Sequence, residues 1–168
     1  MLDGSQLRGV VTDWGGVLTT PILTTVRAWI QADGIDWGTY AAVMGPWVIG
    51  AYQEATQVIR TLRGAGFPTA LLSNSWGCDE YPRADFPGLF DTVVISGEVG
   101  MRKPEPEIFV HAAATLGLEP AECVFIDDVK ANIAAAVACG MAGVHHTDPA
   151  VTAGELETLL GVGLKVRK

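Results

Sequence analysis

Short apolar runs alternate along this chain with segments whose apolar residues recur three and four positions apart. The first kind reads as buried strand, the second as amphipathic helix. Residues 8–13 form the first strand, with β-branched Val10 and Val11 at its centre. Phe67 to Leu72, Asp91 to Ile95, Cys123 to Ile126 and Ala142 to His145 read as the later strands. A helix is predicted from Pro21 to Ala32 behind a Thr20 cap, and another over residues 51–63, stopped by Gly64-Ala65-Gly66. Three more are predicted. Pro104 to Leu116 turns Ile108, Phe109 and Ala112 inward, Ala131 to Cys139 is closed by Gly140, and Val151 to Leu160 is capped near Thr152. Residues 35–50 fit neither pattern, because Gly45-Pro46 interrupts any single helix. Strand and helix alternate, so the fold class is α/β, a mostly parallel sheet covered by helices on both faces.

Polar groups sit where these strands end. Asp13 follows the first and precedes Gly15-Gly16; Ser73-Asn74 follows the second; Asp127-Asp128 follows a later one. Lys103 opens a helix at Arg102-Lys103-Pro104-Glu105-Pro106. An Asp before a glycine pair is ordinarily a turn residue. In a parallel sheet, however, all strand carboxyl ends lie on one edge, where such sheets bind ligands. Three carboxylates on that edge repel one another unless a cation joins them. A hard divalent ion with oxygen ligands, Mg²⁺ above others, suits them. Ser73 can then donate to a phosphoryl oxygen, Lys103 can set a positive charge against it, and Asp13 can attack phosphorus.

Composition narrows the partners. A net charge of −8 over 168 residues, with no Lys/Arg cluster, disfavours nucleic acid; the expected ligand, a small phosphorylated molecule, follows from the strand-end residues and not from the charge. No apolar run reaches membrane-spanning length, and Met1 to Gly9 lacks the pattern of a signal peptide. Cys78, Cys123 and Cys139 have no C-x-x-C spacing and read as reduced thiols of a cytoplasmic protein. His145-His146 reads as a solvated or capping pair, since no third ligand is near in sequence.

Four motifs in this order resemble the haloacid dehalogenase superfamily of hydrolases. They are Asp13-Trp14-Gly15-Gly16-Val17-Leu18, Leu71-Leu72-Ser73-Asn74, Arg102-Lys103-Pro104-Glu105-Pro106, and Val124-Phe125-Ile126-Asp127-Asp128 with Asn132. Their style is most similar to the subfamily that includes the phosphatase domain of soluble epoxide hydrolase. The resemblance implies a Rossmann-like three-layer sandwich over residues 1–20 and 61–168, with an abbreviated helical cap inserted at 21–60. It implies Asp13 as nucleophile, with Ser73 and Lys103 as its catalytic partners and Ser73, Asn74 and Lys103 binding substrate. Mg²⁺ would be held by Asp13, the Gly15 carbonyl and Asp128, with Asp127 and Asn132 just outside the ligand set. Receiver domains share an acidic pair, a hydroxyl and a lysine, but place the acidic pair first in the chain.

Two departures qualify the expected activity. Phosphatases of this family carry a second Asp two residues after the nucleophile, as general acid and base. Here that position is Gly15, which predicts slow phosphatase activity; Glu98 and Asp79 are stand-ins by sequence, though both read first as solvated loop carboxylates. The short insert is the second departure. Its Trp29, Trp37, Tyr40, Trp47 and Tyr52 pack on the core by default, and a homodimer surface is the second expectation for them. Phosphonatase chemistry needs a cap lysine, and no lysine precedes Lys103. A 2-haloacid dehalogenase needs no metal and a basic cap residue, for which Arg27 is the early candidate; the retained acidic pair argues against it. A protein that binds Mg²⁺ and phosphate, or a regulatory partner, without turnover is the alternative outside catalysis.

Overall fold

The computed structural model describes residues 6–18, 53, 55–75 and 81–164. The predicted helix from Pro21 to Ala32, the segment 35–50, the five insert aromatics, Arg27, Cys78 and Asp79 lie outside the described residues. Among the described residues five strands form one sheet: β1 (Gly9–Thr12), β2 (Thr69–Ser73), β3 (Thr92–Ile95), β4 (Cys123–Asp127) and β5 (Ala142–His145). Their order is β3-β2-β1-β4-β5, and every pairing is parallel. β1, β2 and β4 are buried along their whole length. That is why they read as unbroken apolar runs rather than as alternating ones.

The pleat sorts their side chains into two cores. Val10, Leu71, Val124, Ile126 and Val144 face one layer. Val11, Ala70, Leu72 and Phe125 face the other. The first core is covered by helix α1 (residues 55–64), through Ile59 and Leu62, and by Ala153 and Leu156 of the C-terminal helix. Phe86, Leu89 and Phe90, from the loop before β3, complete it. α2 (Ser96–Val99) is a single turn directly after β3, too short to show a period in sequence. The second core is covered by α3 (Pro106–Thr115) and α4 (Lys130–Ala138). Phe109 of α3 meets Phe125 of β4 edge-on, with ring centroids 5.2 Å apart. The predicted α/β/α sandwich is therefore the fold.

Two boundaries differ from expectation. α3 starts at Pro106, which supplies its first turn, and the cis Lys103–Pro104 bond lies outside it. The last helix, α5 (Pro149–Leu160), is capped by Asp148, whose carboxylate accepts from the Ala150 and Val151 N–H groups. Thr152 is instead buried, with its hydroxyl 2.8 Å from His146 Nδ1. An Asp that can take orphan N–H groups, followed by a proline that needs none at N1, defines a helix start better than a threonine one turn later. No helix among the described residues is long and apolar enough to cross a membrane.

Candidate active site

The register of the sheet builds the site. Thr12 of β1 lies opposite Leu71 of β2 and Ile126 of β4. Asp13 and Asp127 follow directly and Ser73 comes two residues after Leu71, so all three are carried to neighbouring strand ends at the middle of one edge. Asp13 N–H donates to the Ile126 carbonyl at 2.9 Å, which extends the ladder by one residue and fixes the carboxylate's starting point.

Lys103 enters from the loop after α2 and is only 3% exposed. Its Nζ lies 2.7 Å from Asp13 Oδ1 and 2.7 Å from Asp127 Oδ2. The main chain of Lys103 is held in turn by Asn74. Lys103 N–H donates to Asn74 Oδ1, and Asn74 Nδ2 donates to the Lys103 carbonyl, both at 2.9 Å. Asn74, expected at the substrate, thus directs its side-chain amide to the lysine's backbone. Asp127 is fully buried and heavily bonded: Oδ1 accepts from the Val129 N–H at 2.7 Å, and Asn132 Nδ2 reaches both carboxylate oxygens at 3.1 and 3.0 Å.

Asp13, Asp127 and Asp128 bring one carboxylate oxygen each to within 4.8 Å of one another. Burial raises the Asp13 pKa to about 6, Lys103 acts to lower it, and Asp127 adds to the rise. Asp128 is also raised, by burial and by Asp127. Both shifts express one imbalance, three carboxylates against one ammonium in a space poor in water. A divalent cation corrects that imbalance, and carboxylate oxygens are the donors Mg²⁺ prefers. The donor set therefore fits the ion.

The two glycines of the first motif have opposite requirements. Gly16 has φ of +82°, and a Cβ there would overlap the Asp128 carboxylate. It must be glycine both for its backbone and for the close approach of Asp128. We expect Gly16→Ala to cost more than about 1 kcal/mol of stability and to weaken Mg²⁺ binding, read by thermal melts and by calorimetric titration of the ion. Gly15 is exposed, has no positive φ, and a Cβ there would meet no described atom within 4 Å.

Of the two stand-ins for an acid, Glu98 is spent on an exposed ion pair with Arg83, and Asp79 lies outside the described residues. His145 and His146 do not form a metal pair: His145 Nε2 lies 3.0 Å from the Asp128 carbonyl, while His146 bonds Thr152. Burial lowers the His146 pKa. Ser73 is buried, and its hydroxyl lies 2.8 Å from the phenol of Tyr81. Tyr81 was not legible as a site residue, because an aromatic in a polar loop carries no period and no motif.

A parallel sheet covered by helices on both faces, with a buried Asp, a lysine and an acidic cluster at its central strand ends, is a Rossmann-like α/β fold with its polar groups gathered at the ligand edge. The family model for haloacid dehalogenase-like hydrolases matches residues 40–140, more than half of the chain. The chain belongs to that family. It is 35% identical over 109 residues to the sesquiterpene phosphatase astK of Aspergillus oryzae, a match spanning 63% of this chain and 56% of that protein. It is 36% identical over 115 residues to bifunctional epoxide hydrolase 2 of Sus scrofa, spanning 64% of this chain and 21% of that one. The chain thus spans about half of the first relative and a fifth of the second. An uncharacterized protein from Corynebacterium glutamicum shares the fold with a TM-score of 0.69 and 26% identity, over 96% of this chain and 99% of that one.

Proposed function

We propose that this protein hydrolyses phosphate monoesters, slowly, through a covalent aspartyl-phosphate on Asp13. The observation that carries the reading is Lys103 Nζ at 2.7 Å from both Asp13 and Asp127, on an edge that also holds Asp128. That lysine keeps Asp13 available as an anion and presents positive charge where phosphoryl oxygens would lie. Asp13, the Gly15 carbonyl and Asp128 would hold Mg²⁺, which when bound offsets the negative charge shared by phosphate and carboxylates. The Asp13 carboxylate attacks phosphorus as the bond to the ester oxygen breaks. Water then attacks the same phosphorus, the Asp13 oxygen leaves, and inorganic phosphate departs. Ser73 donates to a phosphoryl oxygen throughout. Asn74 holds the Lys103 backbone in place, and Asn132 with the Val129 N–H fixes Asp127. Gly15 offers no proton to the departing oxygen, so esters with good leaving groups go fastest. The phosphatase name of the Aspergillus relative supports this class of substrate.

The test is Mg²⁺-dependent hydrolysis of an aryl phosphate. Asp13→Asn should lower turnover by at least about 10³-fold, and chelation of the metal should abolish it. Absence of turnover in the parent, with Mg²⁺ and phosphate still bound, would establish the second reading, a binding protein. Gly15 favours that second reading. Consumption of a 2-haloacid without metal would establish a dehalogenase instead.

A further inference from the structure

The phenol of Tyr81 stands 2.8 Å from Ser73 Oγ, and either oxygen can donate in that pair. Tyr81 is held firmly in place. Its ring meets Trp14 edge-on at 5.7 Å between centroids and Phe86 at 6.1 Å, and Trp14 meets Phe86 at 5.6 Å. The three rings close a triangle, and one corner is the residue directly after Asp13. The Arg83 guanidinium lies 6.0 Å from the Tyr81 ring centroid and pairs with Glu98, which ties this loop to α2.

A serine hydroxyl has one proton to spend. If Ser73 donates to the phenol oxygen, nothing is left for a phosphoryl oxygen, which can only accept. If the phenol donates to Ser73 Oγ, the serine proton is free to point at phosphate. A bound phosphoryl group therefore selects the chain from Tyr81 O–H to Ser73 Oγ–H to phosphoryl oxygen. Hydrogen bonds aligned in this sense strengthen one another. Resting on the phosphatase reading, we propose that Tyr81 is a positioning residue that sets the Ser73 hydroxyl as a donor to the phosphoryl oxygen.

Tyr81→Phe keeps the ring and its edge contacts and removes only the hydroxyl. Four proteins test the idea: the parent, Tyr81→Phe, Ser73→Ala and the double variant. Each is measured for binding of inorganic phosphate in the presence of Mg²⁺, for kcat and KM on an aryl phosphate, and for melting temperature. We expect Tyr81→Phe to weaken phosphate binding and raise KM by about 5–10-fold, the effect of one hydrogen bond, with the melting temperature of the parent. In the Ser73→Ala background the same change should have no further effect on either quantity. Unchanged phosphate binding in Tyr81→Phe, or losses that multiply in the double variant, would overturn the role of the tyrosine. In that case a parent active with Asp13 would leave the phosphatase reading standing. A parent that neither binds phosphate nor cleaves the ester overturns both.

Discussion

Gly15→Asp should raise turnover of an alkyl phosphate by about 10²–10⁴-fold, the usual contribution of a positioned acid and base. An alkyl leaving oxygen departs as a strong base unless it is protonated, and Gly15 has no proton to give. Among the described residues nothing obstructs supplying one. Gly15 lies two residues beyond Asp13, on the exposed side of the first loop. Its φ is not positive, and an added Cβ meets no described atom within 4 Å. The backbone carbonyl expected at the metal is retained by the substitution. The gain should be much smaller on an aryl phosphate, whose leaving group needs little protonation. Parallel kinetics on the two ester types check this. An equal gain on both would mean that the new carboxylate acts through the metal or the fold rather than as an acid. No gain on either would mean that chemistry does not limit the parent.

Lys103→Met should be the most destabilising single change at this site. The methionine fills a similar volume but leaves Asp13 and Asp127 buried without their shared cation. Removing one partner of a buried ion pair costs about 3–5 kcal/mol, a fall in melting temperature of roughly 6–20 °C for a domain of this size. Because the Lys103 side chain is 1% exposed, solvent offers little relief. The loss should also depend on pH. Without the lysine, the Asp13 carboxyl, already raised to about 6 by burial, holds its proton in the native state at pH values where the unfolded chain has lost it. Stability then falls as pH rises, so the deficit is larger at about pH 8 than at about pH 5. Thermal melts in chelator at the two pH values measure it. Equal deficits at both would place the cost in lost packing against Phe125, whose ring centroid lies 5.6 Å from Nζ.

The strands were legible because β1, β2 and β4 are apolar on both faces and are bounded by polar residues at the ligand edge. Ser73 and Asp127 were legible as site candidates for the same reason, each being the first polar side chain after an apolar run, and Asp13 because it closes the run Val10-Val11-Thr12 just before a glycine pair. What the chain then does with its loops was not legible. Asn74 turns back onto the Lys103 main chain, a contact between residues far apart in sequence that no local pattern encodes. Tyr81 reaches Ser73 with its ring packed edge-on against Trp14 and Phe86, contacts that no local pattern encodes. The Asp148 cap was missed because a polar residue before proline reads equally well as a loop. The one-turn α2 could not have been found by periodicity at all.

The sheet order has a consequence for how the protein is made. β1 is the first of these strands to leave the ribosome, yet it sits in the middle of the sheet, and Gly9 of β1 pairs with Cys123 of β4. At roughly 5–20 residues per second of synthesis, Val10 and Val11 wait on the order of 10 s for their second neighbour. During that time one side of the strand offers unpaired backbone groups to any other nascent chain nearby. Asp13 is likewise translated long before Lys103 and Asp127, the two residues that give its charge a setting. The charge of Asp13 and the open side of β1 are therefore both settled by the same late event, the arrival of β4.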